Sequence, residues 1–280
     1  MSYRTVLYAI DEDPLAECHI DHATRLARAF EGRLFGVSCH RPSPWPRDGA
    51  VAFIQGDPLT IELREAEEAA DAREAVFLQR CHLAGLASAD AIRDDTETVS
   101  AVCRQARFAD LVVLPQPSPS GANPGERRRR VEAILQQSPR PVLMLPHSAR
   151  FDVPGGPALV AWDGSPGAAR AAAAALPLLR RARQIHLVQA CNPRTDDGVA
   201  ARPDLERAAA WLSSHGLDVR PALSASELPV GEALLSEGAA FGVQLFVMGA
   251  WGHRRLVERM LGGATRTMLD RMIAPVLFAH

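Results

Sequence analysis

Three glycines give this sequence its clearest chemical content. Gly249, Gly252 and Gly262 follow the apolar run Val243 to Met248 with the spacing Gly-x2-Gly-x9-Gly, and Gly263, Ala264 and Thr265 come directly after. A run of that length reads as a buried strand, and glycines after it let backbone amides approach a ligand that a Cβ would hold away. A helix beginning near Ala264 would turn its unpaired amides and the positive end of its dipole toward the same loop. That is the chemistry of anion binding. From spacing alone a second reading stands beside it, in which the glycines only turn the chain. All 31 basic residues are Arg and none is Lys, which removes the Walker-type phosphate lysine, a pyridoxal Schiff base and the protein-kinase lysine. There is no Gly-x-Ser-x-Gly elbow, no His-Glu-x-x-His pair and no convincing pair of carboxylates, so no catalytic set is assigned.

Other reactive side chains give weaker patterns. Cys18, His19 and His22 crowd one stretch of a helix, but one helix supplies only two or three ligands and no Cys/His cluster elsewhere completes a set. The expectation is a solvated helix face and no metal site. Cys18, Cys39, Cys81, Cys103 and Cys191 are odd in number, scattered and without a Cys-x-x-Cys pair, which argues against a disulfide framework and fits a reducing cytoplasm. His253, Arg254 and Arg255 read equally as phosphate contacts or as a surface charge cluster. Arg127 to Arg130 read more readily as partners of acidic helices than as a polyanion site. Trp251 could shield a bound base, although packing on the domain is the preferred reading; with the other tryptophans dispersed, stacking on nucleic acid is not expected.

The elements that must position the glycines occur twice. Val6 to Ile10 and Leu159 to Trp162 are short apolar runs, each followed by an aspartate (Asp11, Asp163) and a proline (Pro14, Pro166) standing 152 positions apart. Each reads as strand, turn and helix, with Ser165 as the second copy's N-cap and proline at the first helical position. Second strands end near Cys39 and Cys191, again 152 apart. Ala109 to Leu114 corresponds to Val243 to Met248, and Pro141 to Leu145 to Pro275 to Ala279, both at offset 134. The first copy therefore carries 18 extra residues, assigned to the proline-bearing stretch Arg41 to Gly56 and to a long helix from Pro58 to about Leu83. Its counterpart is shorter, Pro203 to Ser214. Helices near Glu97 to Arg107 and Pro229 to Ala240 precede the fourth strands. Strand-length apolar runs separated by helices predict parallel sheets covered on both faces, a Rossmann-like α/β fold. Pro154-Gly155-Gly156-Pro157 breaks the pattern, placing the boundary between a domain 1–149 and a domain 155–280.

Composition sets the frame. A chain of 280 residues is long enough for two cores, and 47% hydrophobic with 23% charged residues is a globular balance. A net charge of −2 offers no footprint for nucleic acid or an anionic membrane. Neither a signal peptide nor a membrane span is read: the most apolar stretch, Ala171 to Leu179, falls far short of the roughly 20 residues a span needs.

On the glycine spacing, the strand-one aspartate and the terminal Pro-Val strands, nearly the whole chain resembles the universal stress protein family, as two tandem modules. The resemblance implies an internal pseudo-dimer in which the terminal strands around Val142 and Val276 pair. It also implies ATP or a related adenine nucleotide in the second module. Ala161 and Asp163 would then meet the adenosine portion, although Asp163 also reads as a helix-entry residue without a ligand. Met248 and Gly249 would line the ribose and phosphate side, Gly252, Gly262, Gly263 and Ala264 would bring backbone to the phosphates, and Thr265 would offer its hydroxyl. The departure is Gly263, where the family motif has Ser or Thr. In the first copy Pro115, Ser118, Arg128 and Arg129 stand at the loop-glycine positions, so no nucleotide is expected there by this mode. The function implied is a cytoplasmic stress-response protein that binds a small ligand and acts on an unidentified protein partner, with a homodimer of whole chains left open. The rivals are a nucleotide-free interaction scaffold and a slow nucleotide hydrolase.

Overall fold

A computed structural model describes residues 2–11, 13–39, 58–86, 88–117, 124–147, 155–194, 202–250 and 263–280, with backbone only for 58–63. They group into two compact units. One is Tyr3–Val113 with Gln137–Pro139; the other is Met1–Ser2, Leu114–Gln136 and Arg140–His280.

The amino unit runs β1 (Thr5–Ile10), α1 (Ala16–Ala29), β2 (Arg33–Cys39), α2 (Pro58–Leu83), β3 (Ala89–Asp94), α3 (Thr98–Gln105), a single 3-10 turn (Ala106–Phe108) and the start of β4 (Leu111–Pro115). Its strands lie in the order β3-β2-β1-β4, all parallel. Val6 to Ile10 are all buried, as an apolar strand covered on both faces should be.

The carboxyl unit contains α4 (Pro124–Gln137), β5 (Val142–Leu145), β6 (Pro157–Ala161), α5 (Pro166–Leu179), β7 (Gln184–Cys191), α6 (Arg202–Ser214), β8 (Val219–Ala225), α7 (Val230–Phe241), β9 (Leu245–Gly249), α8 (Gly263–Arg271) and β10 (Val276–Ala279). The strand order is β5-β10-β9-β6-β7-β8, parallel from β10 to β8. β5 is antiparallel to β10, with Leu143 facing Leu277, so the two repeats' terminal strands pair as expected. Each otherwise exposed edge is thereby covered.

Two sequence expectations are corrected. Ser165 caps α5 through its Oγ, which accepts from the Ala168 amide at 3.0 Å, but α1 does not start at Pro14. It starts at Ala16 behind Leu15, without a side-chain cap. The Asp13 carboxylate, at the position of Ser165, accepts from the Leu15 amide at 3.0 Å and is otherwise taken by the His19 ring. The solvated face expected at Cys18, His19 and His22 is also not found. His19 and His22 are each 1% exposed, and of the three only Cys18 is open to solvent. Among the described residues no group of three or more His, Cys, Asp or Glu could hold a metal ion, and no helix is long and apolar enough to cross a membrane.

Candidate functional site

At the carboxyl ends of β6, β7 and β9 the carboxyl unit opens a cavity of about 410 Å³, inside the roughly 300–1,000 Å³ typical of small-ligand sites. Crevices form there because the strands of a parallel sheet end while the chain leaves in opposite directions on either side. Ala161 closes β6 and Asp163 follows in the turn to α5; Met248 and Gly249 close β9; Gly263, Ala264 and Thr265 open α8. All seven line the cavity. Gly252 and Gly262, with Trp251, His253, Arg254 and Arg255, lie outside the described residues.

Local chemistry explains the frame. The Asp163 Oδ1 accepts from the Ser165 amide at 3.0 Å, an Asx turn, while Gly164 takes φ 71°, a conformation that favours glycine. That turn leaves Asp163 exposed at the cavity rim. Gly249 is required by packing: a Cβ there would sit 2.8 Å from the Ala168 nitrogen and 2.9 Å from the Gly167 carbonyl carbon. The end of β9 thus lies directly on the first turn of α5. Thr265 is 2% exposed, and its hydroxyl donates to the Ala250 carbonyl at 2.6 Å, so its proton holds the end of β9 to α8. Around Gly263 there is open space, with nothing within 4 Å of an added Cβ.

The cavity also has walls that the sequence did not disclose. Val188 and Ala190 of β7 form its side, and Pro229, Val230 and Leu234 its α7 flank. Trp162 lines it as well, its indole N–H donating to the Asp204 carboxylate of α6 at 2.8 Å. Only its place between Ala161 and Asp163 could have drawn attention to it. Asp163 is the one ionisable side chain among the described lining residues. The arrangement suits binding of a flat, largely apolar group with an anionic end at the amides of α8, and its described lining residues include no acid–base pair.

The first repeat's counterpart positions are occupied differently. Pro115 ends β4, and Arg128 on α4 is paired with Glu132 at 2.9 Å and with Asp270 of α8. Arg130 approaches Glu126 at 3.9 Å, so the basic run is engaged with acids on helices. Ser118 lies outside the described residues.

No protein-family profile and no curated protein matches the chain. Solved structures do. A universal stress protein from Archaeoglobus fulgidus DSM 4304 is similar over 100% of this chain and 99% of its own, at 15% identity and a TM-score of 0.75. A functionally unknown protein from Pseudomonas aeruginosa PAO1 is similar over 99% of this chain and 92% of its own, at 16% identity and a TM-score of 0.59. A universal stress protein solved in complex with cAMP covers 53% of this chain and 100% of its own, at 20% identity and a TM-score of 0.41. At these identities the likeness shows the fold: two α/β modules of the universal stress protein kind in tandem.

Proposed function

We propose that this chain is a tandem universal stress protein, with modules at 1–149 and 155–280, that binds ATP or a related adenine nucleotide in its carboxyl-terminal module. The observation that carries the reading is convergence: Ala161, Asp163, Met248, Gly249, Gly263, Ala264 and Thr265, chosen from three separate segments, line one cavity. Asp163 and Ala161 meet the adenosine, and the amides opening α8, with those of Gly252 and Gly262, meet the phosphates. The protein acts by binding, through a protein partner, in a reducing cytoplasm; five free thiols are in keeping with that compartment.

Isothermal titration with millimolar ATP, alongside a thermal melt, tests it. Heat of binding and a raised melting temperature are expected; neither signal from the folded protein would sink the reading. A nucleotide-free scaffold is the second reading. It is favoured by Gly263, which offers no hydroxyl, and by Thr265, whose proton is already given to Ala250.

A further inference from the structure

A second cavity, of about 520 Å³, lies in the amino unit at the carboxyl end of β1, between α1 and α2. Ile10, Ile20 and Val76 give it apolar walls, and Asp11 and Asp13 line it from the turn between β1 and α1. Acidic side chains at a turn do not by themselves make a site. The floor adds an independent observation. Tyr8 of β1 lines the cavity and is 2% exposed, yet its hydroxyl has no hydrogen-bond partner among the described residues. The oxygen is not sealed in by its neighbours; it opens on the cavity. Stacking on Phe77 of α2, with centroids 5.9 Å and planes 10° apart, holds the ring, so the hydroxyl cannot swing to a partner elsewhere. The second repeat shows that the position needs no polar atom: the offset of 152 puts Val160 there, fully buried and wholly apolar. A buried hydroxyl left unpaired costs about 1–3 kcal/mol, and one at the bottom of an open cavity is satisfied by what occupies the space.

Charge decides the kind of occupant. Burial first, and then the carboxylates of Asp13 and Asp11, push the Tyr8 phenol well above its ordinary value. The hydroxyl therefore stays neutral near pH 7 and shares its surroundings with two anions. Asp13 already accepts from the Leu15 amide at 3.0 Å and faces the His19 ring, so it contributes charge more than free oxygens. Asp11 stands half-buried at the rim. Glu17, at the same mouth, is held by Arg80 at 3.1 Å, and Arg73 stands on the α2 wall. The acids do not converge on a metal, since among the described residues no group of three or more His, Cys, Asp or Glu could hold one. What answers both the phenol oxygen and the carboxylates is an organic cation with N–H donors.

We propose that this cavity binds a primary ammonium carried on an apolar body, its N–H groups donating to the Tyr8 oxygen and to the Asp11 carboxylate while the body lies along Ile10, Ile20 and Val76. A carboxylate offers about four lone-pair sites, so Asp11 takes the ammonium in addition to the contacts it already makes. The charge of Asp13 adds to the attraction without a direct bond. Anions of the same shape are turned away by the two carboxylates. Nucleotide binding in the carboxyl unit is not required for any of this.

Isothermal titration of the full-length protein with 2-phenylethylamine, and with phenylacetate as an anion of similar shape, tests the site. Saturable heat from the amine and none from phenylacetate is the expected result. Tyr8→Phe deletes only the hydroxyl and keeps a ring against Phe77, so circular dichroism should show the fold intact while the amine binds about tenfold more weakly, as loss of one charge-assisted hydrogen bond would give. Asp11→Asn, at the rim, should weaken the amine by a similar factor and reads the same site should the core substitution disturb folding. A Tyr8→Phe chain that holds the amine as tightly as the parent, phenylacetate heat equal to that of the amine, or no saturable heat from the folded parent would overturn the proposal.

Discussion

The two repeats begin with the same strand, turn and helix, yet end their first and second strands in different surroundings. At the end of β7, Ala190 borders open volume; the repeat offset puts Ser38 at that position in the amino unit, fully buried, its hydroxyl donating to Glu74 of the long α2. Glu74 in turn accepts from Arg93, which also pairs with Asp71. Where Trp162 lines the cavity, the amino unit has Ile10, its side chain packed over Gly36 beside Phe77, and Phe77 stacks on Tyr8 with ring centroids 5.9 Å apart. At the end of β3, Asp94, with a side chain 1% exposed, is tied to Arg104 and Thr96; its counterpart Ala225 makes no such network. A crevice at the sheet's carboxyl end is therefore not a property of the fold alone. Beside β7 the space is open where Ala190 stands; at the matching end of β2, Ser38 and the charges on α2 take the place, and the amino unit's own cavity, of about 520 Å³, lies instead at the end of β1.

The largest effect expected is at the carboxyl crevice's own frame. Gly249→Ala puts a methyl against the backbone of Gly167 and Ala168, which cannot yield as a side chain would. The loss should lie toward the upper end of the roughly 1–3 kcal/mol that overpacking costs, read from denaturant midpoints, and ATP heat should vanish with it. An unchanged midpoint would mean that β9 and α5 are not in direct contact. Next comes acid. Burial alone would push the Asp94 carboxyl up, but the hydrogen bonds from Arg104 and from the Thr96 hydroxyl and amide together outweigh it and hold it near 2. A depressed carboxylate contributes its stability above the unfolded value and loses it as pH falls; from the ordinary 3.8 to about 2, that contribution is about 2 kcal/mol, whole above about pH 5 and drained near pH 2. Unfolding curves at several pH values should be steeper for the parent than for Asp94→Asn by that amount. Equal slopes would mean that the Asp94 carboxylate draws no stability from Arg104 and Thr96.

A third substitution sharpens the ligand side. Gly263 has open space around it and no positive φ, so serine fits without strain and restores a hydroxyl at the mouth of α8. ATP should bind Gly263→Ser roughly tenfold more tightly, about 1.5 kcal/mol, with the melting temperature of the free protein unmoved. Tighter binding of adenosine by the same factor would show that the hydroxyl does not meet phosphate.

Much of this frame could be read from residue order because it rests on local chemistry. The strand β9 is the apolar run before Gly249, α8 opens one residue before its expected start, and Ser165-Pro166 capped α5 as such pairs do. What escaped were features that depend on distant partners. Asp13 occupies the cap position of α1 by sequence, but His19 takes its carboxylate, so the helix starts late. The burial of His19 and His22 depends on packing that the helix's own sequence does not show. Trp162 became a wall because Asp204, 42 residues on, receives its indole N–H. Gly249 looked like a ligand glycine, yet its lack of a side chain is already demanded by α5.

The smallest expected effect isolates the difference between the two helix starts. Ser165 is 3% exposed and its Oγ satisfies the Ala168 amide, one of the donors a helix leaves unpaired at its beginning. Ser165→Ala should cost about 1 kcal/mol, seen as a lowered denaturant midpoint, because water cannot easily replace the lost acceptor at a buried cap. The corresponding change in the amino unit, Asp13→Ala, removes no cap, since α1 has none, but strips His19 of its carboxylate. The two sites should therefore separate by conservative replacement. Asp13→Asn keeps an acceptor for the Leu15 amide but removes the charge that faces the His19 ring, so its loss should stay close to that of Asp13→Ala in denaturant midpoints. Full recovery with asparagine would mean that Asp13 serves the start of α1 after all.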